Sequence, residues 1–422
     1  MTTREAAVTF AELQEHYRAP HPLYDELRAF DPVFYDRAAR CWLVTSRRAI
    51  TCVLSDERFV SQLPGARPAP AAAGQSMPSL RTLLAQQLLF FTGTAHARAH
   101  ALLQDALGSL VKARGMRQFV AGIVGERLSQ AREQGEMEVV AALARPVAGY
   151  TSAYVLGLPI DQSDLLLRWI EWSNAFTDRT SGFGQAPTMP IYQLQHAFLQ
   201  LIEARRGDSS RVPAHRPPGG NNGDLLDALL AAPESFPHDQ VVAANMQMLF
   251  SAGRVTSEKA IAEGVRLLAQ EPGLWQRLRT ESLADAKLAP RLADEWLRLI
   301  TPTRFLKRWA TQDVDLSEEF PGSHLIRKGQ EVVLYLEAGN HDPEEFADPH
   351  HCDPQRRPNR HIAFGHGPHL CPGAGLARLE LRLVIEALLG QLDHLAPLGG
   401  SEELYAPNPN LGGVRSYRVA VG

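Results

Sequence analysis

Ten residues near the C-terminal end, Phe364-Gly-His-Gly-Pro-His-Leu-Cys371-Pro-Gly373, restrict the fold of this chain more than any other stretch. The glycines let the backbone turn tightly and come close to a large flat ligand. An apolar, helix-like run follows. A helix beginning there sets free N–H groups and its positive dipole end beside the Cys371 sulfur, which favours thiolate over thiol. A lone loop cysteine is commonly just a small buried side chain. Here a phenylalanine, two glycines, a histidine, the cysteine and a final glycine stand at fixed offsets, and that combination marks a loop built to hold a ligand.

The rest of the chain reads as mostly helical. The span from His238 to Gln270 has only Gly253 and Gly264 as internal breakers and predicts one long helix. Further helical patterning covers Pro22 to Phe30, Ala49 to Leu54, and most of Ala95 to Leu268, with breaks at Gly157-Leu-Pro159 and in the Thr180–Pro190 region. Val33–Tyr35, Trp42–Thr45 and parts of 310–345 read as short strands and turns. Residues 61–80 and the Gly207–Gly223 connection read as loops. Length alone suggests about three domains. With 45% apolar residues and no long Ser/Gly linker or charge block, however, the expectation is a single domain over 1–422, mainly α with small β-sheets.

Charge and cysteine usage exclude several classes. Against 43 Lys and Arg stand 47 Asp and Glu, so no basic excess points to nucleic acid. Cys41, Cys52, Cys352 and Cys371 form no CxxC pair, which argues against a zinc-finger-type site or disulfide framework and for a reducing cytosol. The start of the chain lacks a basic-then-apolar leader, and no run reaches the ~18 apolar residues of a membrane span. A soluble, cytoplasmic protein with no membrane partner is expected.

The Phe364–Gly373 segment resembles the haem-binding loop of the cytochrome P450 family, soluble bacterial type, in which a cysteine thiolate ligates haem iron and favours O–O cleavage. Other landmarks follow in order. Glu295-Trp-Leu-Arg298 places an acid and a base three apart on one helix face, and Pro302, Arg308-Trp-Ala310, Asn340-His-Asp-Pro343 and Asp353-Pro-Gln-Arg356 succeed it. The resemblance implies the P450 fold, haem b on Cys371, and an ion network of Glu295, Arg298 and Arg356 supporting the ligand loop. It further implies cationic contacts to the haem propionates from His96, Arg308 and His369, with Phe364 and Gly373 shaping the loop. His100 stands where the family usually has arginine, so that contact is expected to depend on pH. Pro372 has no N–H to offer the sulfur, which should leave the thiolate more electron-rich.

Ala252-Gly253-Arg254-Val255-Thr256 is similar to the family's oxygen-activating segment of the long helix. Ala252 and Thr256 share a face, and Gly253 is expected to let the helix approach the porphyrin. The usual acid is missing, because Val255 holds its place. Valine cannot relay a proton, so the route must come from water, from Arg254, from the substrate, or be unnecessary. Three readings stay open. One is hydroxylation-type monooxygenation of a small, aromatic natural-product intermediate, in secondary metabolism such as antibiotic biosynthesis. The second is an atypical oxidation such as aryl coupling, ring closure, nitration or nitrene-type transfer. The third is a non-catalytic partner of a biosynthetic enzyme, against which the intact Cys371 loop speaks. Positions matching the family's substrate-facing segments include Phe90, Trp172, Phe176, Arg254, Thr303, Arg304, Phe305 and Leu411. The chain has no flavin or nicotinamide fingerprint, so the resemblance implies electrons from a ferredoxin and ferredoxin reductase. Lys112, Arg114, Arg117, Arg356, Arg357, Arg360, Arg378 and Arg382 are the expected docking cations.

Overall fold

The computed structural model describes residues 8–61, 79–158, 168–173, 189–207, 223–320, 322, 324–399 and 404–422. Most of the loop expected at 61–80, the break expected at Thr180–Pro190 except for Met189 and Pro190, Phe176, and residues 208–222 lie outside these. The elements that carry the argument are, in chain order, α1 (His21–Phe30), β1 (Val33–Asp36), β2 (Cys41–Val44), α2 (Arg47–Ser55), β3 (Phe59–Val60), α3 (Gly93–Lys112), α4 (Arg114–Gln134) and α5 (Arg145–Val155). There follow α6 (Asp239–Gln270), α7 (Leu288–Ile300), β4 (Leu306–Ala310), β5 (Glu331–Leu334), α8 (Leu336–Asn340) and α9 (Ala374–Gln391). The fold is mainly helical with small sheets. Among the described residues no helix is long and apolar enough to cross a membrane.

Two compact units can be distinguished. One takes its described residues from Met1–Ala66, Leu89–Thr92 and Glu295–Cys371. Its five-stranded sheet runs β1-β2-β5-β4-β3, with only the β2–β5 pair parallel. The sheet and α2 enclose Val33, Trp42, Val44, Ile50, Val53, Phe59, Val332, Leu334 and Ile362. Helix α2 starts where Ser46 accepts the Ala49 N–H, and it buries Ala49, Ile50, Val53 and Leu54 along one stripe. On β4 the alternate residues 306, 308 and 310 share a face. Leu306 and Ala310 join the core there, so Arg308 occupies a core register.

The second unit takes its described residues from Arg67–Leu88, Gly93–Asp294 and Pro372–Gly422. Helix α6, 32 residues and about 48 Å long, packs on α5, on the helix Met189–Gly207 and on α9. A three-stranded sheet sets Arg418–Val421 between Glu136–Glu138 and Leu395–Pro397. This pairing interrupts the helical run expected from Ala95 onward. The Val139 N–H donates to the Tyr417 carbonyl and the Tyr417 N–H to Glu138, and the chain re-enters helix through a π-turn at Val139–Ala144 before α5. Helix α4 ends locally, at Gly135 in the left-handed conformation, and the strand that follows is then paired by a segment distant in sequence.

Candidate functional site

Cys371 ends a loop whose shape is set by two left-handed glycines. Gly365 and Gly367 have φ of 76° and 71°, a region closed to most side chains. At Gly367 a Cβ would lie 2.5 Å from the Leu54 carbonyl oxygen, so only glycine lets the loop rest on the end of α2. The loop closes on itself where the Cys371 N–H donates to the Phe364 carbonyl at 3.0 Å. Cys371, Phe364, His369 and Gly373 are all half-buried. Helix α9 begins three residues after the cysteine.

Behind the loop lies a buried ionic cluster. Arg298 donates to both oxygens of Glu295, at 2.7 and 2.8 Å, a bidentate pair fully shielded from solvent. Arg356 donates to Glu295 at 3.2 Å, as do the Asp353 N–H and the Asn359 amide. Both guanidinium groups lie over the Phe346 ring. Their remaining N–H groups donate to the carbonyls of Asn340, Ala347, Asp348, Pro349 and His351. Asn340 carries the scaffold onward, since its side-chain oxygen accepts the Ile362 N–H at 2.7 Å, nine residues before Cys371. Burial alone would push the Glu295 carboxyl up. The bonds and charge of Arg298, with the Asp353 N–H and Arg356, hold it below the ordinary range.

In the other unit, α6 is buried along most of its length yet opens at its centre. Ala252 and Gly253 are exposed and Met248, Leu249, Val255 and Thr256 half-exposed, between buried Ser251, Arg254 and Ser257. All but Gly253 fall within one helical face, an apolar strip carrying a single hydroxyl. Thr256 Oγ1 donates to the Ala252 carbonyl at 2.7 Å. The absent side chain of Gly253 faces α5, where a Cβ would lie 3.1 Å from Ser152 Oγ. The close approach this glycine serves is therefore to α5. One residue beyond Thr256, Ser257 donates to Glu380 of α9 at 2.5 Å. Complete burial raises the Glu380 carboxyl to about 8, against weaker opposition from the Ser257 and Thr151 hydroxyls. At neutral pH it is mostly a neutral acid holding a proton.

Comparison with known proteins decides what this arrangement is. A family model described as Cytochrome P450 matches residues 193–412, and that is half of the chain. The chain belongs to the cytochrome P450 family. Cytochrome P450 105C1 of Streptomyces sp is 33% identical over 93% of each chain. Nocardicin C N-oxygenase of Nocardia uniformis subsp. tsuyamanensis is 30% identical over 87% of each. The structure of P450BioI in complex with hexadec-9Z-enoic acid ligated acyl carrier protein superposes with TM-score 0.80 at 25% identity, covering 97% of this chain and 100% of that one. This P450 is thus an oxidoreductase of the monooxygenase class, with bacterial relatives in secondary metabolism. Its family uses a haem-thiolate cofactor and redox partners and acts on small molecules.

The residues present fit a haem. Arg308 is buried and donates only to the neighbouring Lys307 carbonyl, and no carboxylate among the described residues pairs with it. Desolvation pushes its guanidinium down to about 10. A buried cation in that state calls for an anion, and a haem propionate is one. His96 and His100 lie one turn apart on the buried stripe of α3, ring centroids 5.2 Å apart.

The residues expected at the substrate divide. Phe90, Trp172, Thr303 and Leu411 are half-buried and able to face a ligand. Three others are corrected. Arg254 is 1% exposed and donates to Glu258 at 2.6 Å and to Ser173, so it is neither solvated nor free to bind substrate. Arg304 is spent on Glu337, the Tyr17 carbonyl and the Tyr17 ring. Phe305 is buried against Tyr335. Among the expected docking cations, Arg356 belongs to the Glu295 cluster, Arg117 and Arg382 share Glu386, and Arg378 pairs with Asp294. Lys112, Arg114, Arg357 and Arg360 stay exposed. Glu380 was overlooked in the sequence, although its signal was there: an acid in register with Val384 and Leu388 on the apolar stripe of α9.

Three outcomes are expected. Glu295→Gln strands two arginines without their charge partner and should cost about 3–5 kcal/mol, read from urea unfolding of the holoprotein. Arg308→Leu removes a cation that no carboxylate among the described residues pairs with; haem content on purification should fall while the stability of the haem-free protein holds or rises. For Glu380 the folded protein holds a proton that the unfolded chain releases near pH 4.5. Wild-type stability should therefore fall as pH rises from about 4.5 to about 8 and level off beyond, by at most about 1.4 kcal/mol per pH unit from this group. Glu380→Gln should lack that component in thermal unfolding across the same range.

Proposed function

We propose that residues 1–422 act as one haem-thiolate catalytic domain that inserts oxygen into a small, largely apolar natural-product intermediate, aromatic in part. The observation that carries this reading is the open apolar strip of α6 with its one hydroxyl, next in sequence to a serine bonded to a neutral acid. Cys371 would hold the haem iron, and Arg308, His96, His100 and His369 its propionates. When bound, the haem supplies dioxygen reduction and cleavage. The protein supplies the rest. Met248, Leu249, Ala252 and Val255 keep water from the reacting face, and Phe90, Trp172, Thr303 and Leu411 contact the substrate. The Thr256 hydroxyl, released from the Ala252 carbonyl by rotation about χ1, offers a hydrogen bond there. The proton that Val255 cannot relay is held at the Glu380 carboxyl; as the Ser257 hydroxyl turns to accept it, Ser257 Oγ releases its own proton to water leading to the open strip. The substrate need not be anionic, because Arg254 and Arg304 are internally paired. Electrons come from a ferredoxin and its reductase, with Lys112, Arg114, Arg357 and Arg360 as the docking cations.

The test begins with the reduced carbon-monoxide difference spectrum, which should show thiolate ligation in wild type and lose it in Cys371→His. With a compound from a library of aromatic metabolites that shifts the spin state, labelled dioxygen should appear in the product. Glu380→Gln should lower product formed per electron several-fold, and Val255→Asp in that background should restore part of it. Product without labelled oxygen would establish the atypical oxidation instead. Unchanged coupling in Glu380→Gln would refute the proton route.

A further inference from the structure

Three histidines far apart in sequence meet in the unit that carries Cys371, none of them part of the haem-binding set. His21 opens α1, His341 directly follows α8, and His350 lies in the turn beyond. One ring nitrogen from each lies within 4.8 Å of the other two, with ring centroids 4.2 Å apart for His21–His341 and 5.1 Å for the other pairs.

The chemistry around the rings fits a metal better than a proton. His341 is 3% exposed, and its Nδ1 lies 3.0 Å from the Glu337 carbonyl oxygen. A carbonyl can only accept, so Nδ1 carries the hydrogen and Nε2 keeps its lone pair. That is the tautomer and the backbone brace of a metal-ligating histidine. His21 Nδ1 is buried without a hydrogen-bond partner, an uncompensated polar atom that coordination would satisfy. Burial, with the neighbouring rings and Arg298 or Arg304, disfavours protonation of His21 and His341, while Asp25 and Glu337 act the other way on His21. Glu337 is engaged by Arg304 and the Tyr24 hydroxyl. Asp25 stands 3.9 Å from His350 Nε2 and is within reach of a fourth position.

We propose that His21, His341 and His350 form a binding site for a late first-row divalent cation, zinc in the first instance. Three neutral imidazoles with no thiolate are borderline donors suited to zinc, nickel or copper. Tetrahedral Zn–N bonds of about 2.0–2.1 Å set ligand nitrogens roughly 3.3 Å apart, so the cluster contracts on binding, with the half-exposed His350 moving inward. The bound ion ties α1 to the residue after Asn340, which receives Arg298 and braces Ile362. Its role is to clamp the scaffold of the ligand loop.

The experiment uses untagged, haem-loaded full-length protein dialysed against zinc chloride, with zinc and iron measured together by plasma emission. Wild type should retain about one zinc per chain, and zinc should raise its unfolding temperature. His350→Ala and His21→Ala should each weaken zinc binding at least about tenfold and abolish the thermal shift with iron content unchanged, while His350→Cys should retain zinc. Equal zinc binding by wild type and the His21→Ala/His350→Ala double variant would overturn the proposal. So would absence of zinc from wild type at equimolar concentration.

Discussion

The interaction on which the Cys371 unit depends is the buried contact between Glu295 and two arginines. A carboxylate and two guanidinium groups lose most of their hydration there, and the attraction between them recovers about as much as desolvation takes away. Such a cluster adds little net stability. What it supplies is direction. Each guanidinium N–H points at a particular carbonyl, and those carbonyls belong to Asn340 and to residues 347–351. A stretch with almost no regular secondary structure is thereby fixed by charged donors. From Asn340 the order passes by one hydrogen bond to Ile362 and on to a loop that closes between Phe364 and Cys371. An apolar replacement could fill the same volume, but it could not orient so many carbonyls.

The sequence was most legible where chemistry is local. The two glycines of the Cys371 loop, the acid and base three apart on α7, and a helix of 32 residues with two breakers are short-range signals, and each lies where the pattern put it. Pairing between distant segments was not legible. Nothing in Glu136-Met-Glu138 distinguishes it from helix until Arg418–Val421 comes alongside. The partners of Arg254 and Arg304 were hidden for different reasons. Glu258 is only four residues from Arg254, but sequence does not say that Arg254 is turned into the core with Glu258 half-buried beside it. Glu337 is 33 residues from Arg304 and reaches it only because β4 and β5 are adjacent strands.

Val255 shows that the proton route cannot be read from one position alone. The gap on α6 leaves the source of protons open, and the structure adds an acid on the neighbouring α9 that is bonded to α6 through Ser257. Its environment differs from that of a carboxylate paired with arginine. Glu295 is ionised because cations surround it. Glu380 is held neutral because burial strips its hydration and no cation replaces it, the two hydroxyls opposing only weakly. The same side chain is an ionised anchor in one setting and a neutral acid in the other, and the difference is the charge of its neighbours.

Arginine burial follows the same logic and separates scaffold from site. Arg254, Arg298, Arg304 and Arg308 are the buried arginines among the described residues. Three of them face a carboxylate from this chain: Glu258, Glu295 and Glu337. A fold that meets each buried cation with its own anion is complete in itself. Among the described residues Arg308 has no such partner, and desolvation makes its guanidinium easier to deprotonate. It sits on a strand in register with core residues, where leucine or valine would cost nothing in desolvation. A charge there makes physical sense where a compensating anion arrives from outside the polypeptide, as the proposed haem propionate would. In the proposed reading, polypeptide folding and cofactor binding are coupled through this one residue, with a haem propionate as the anion that the described residues do not provide.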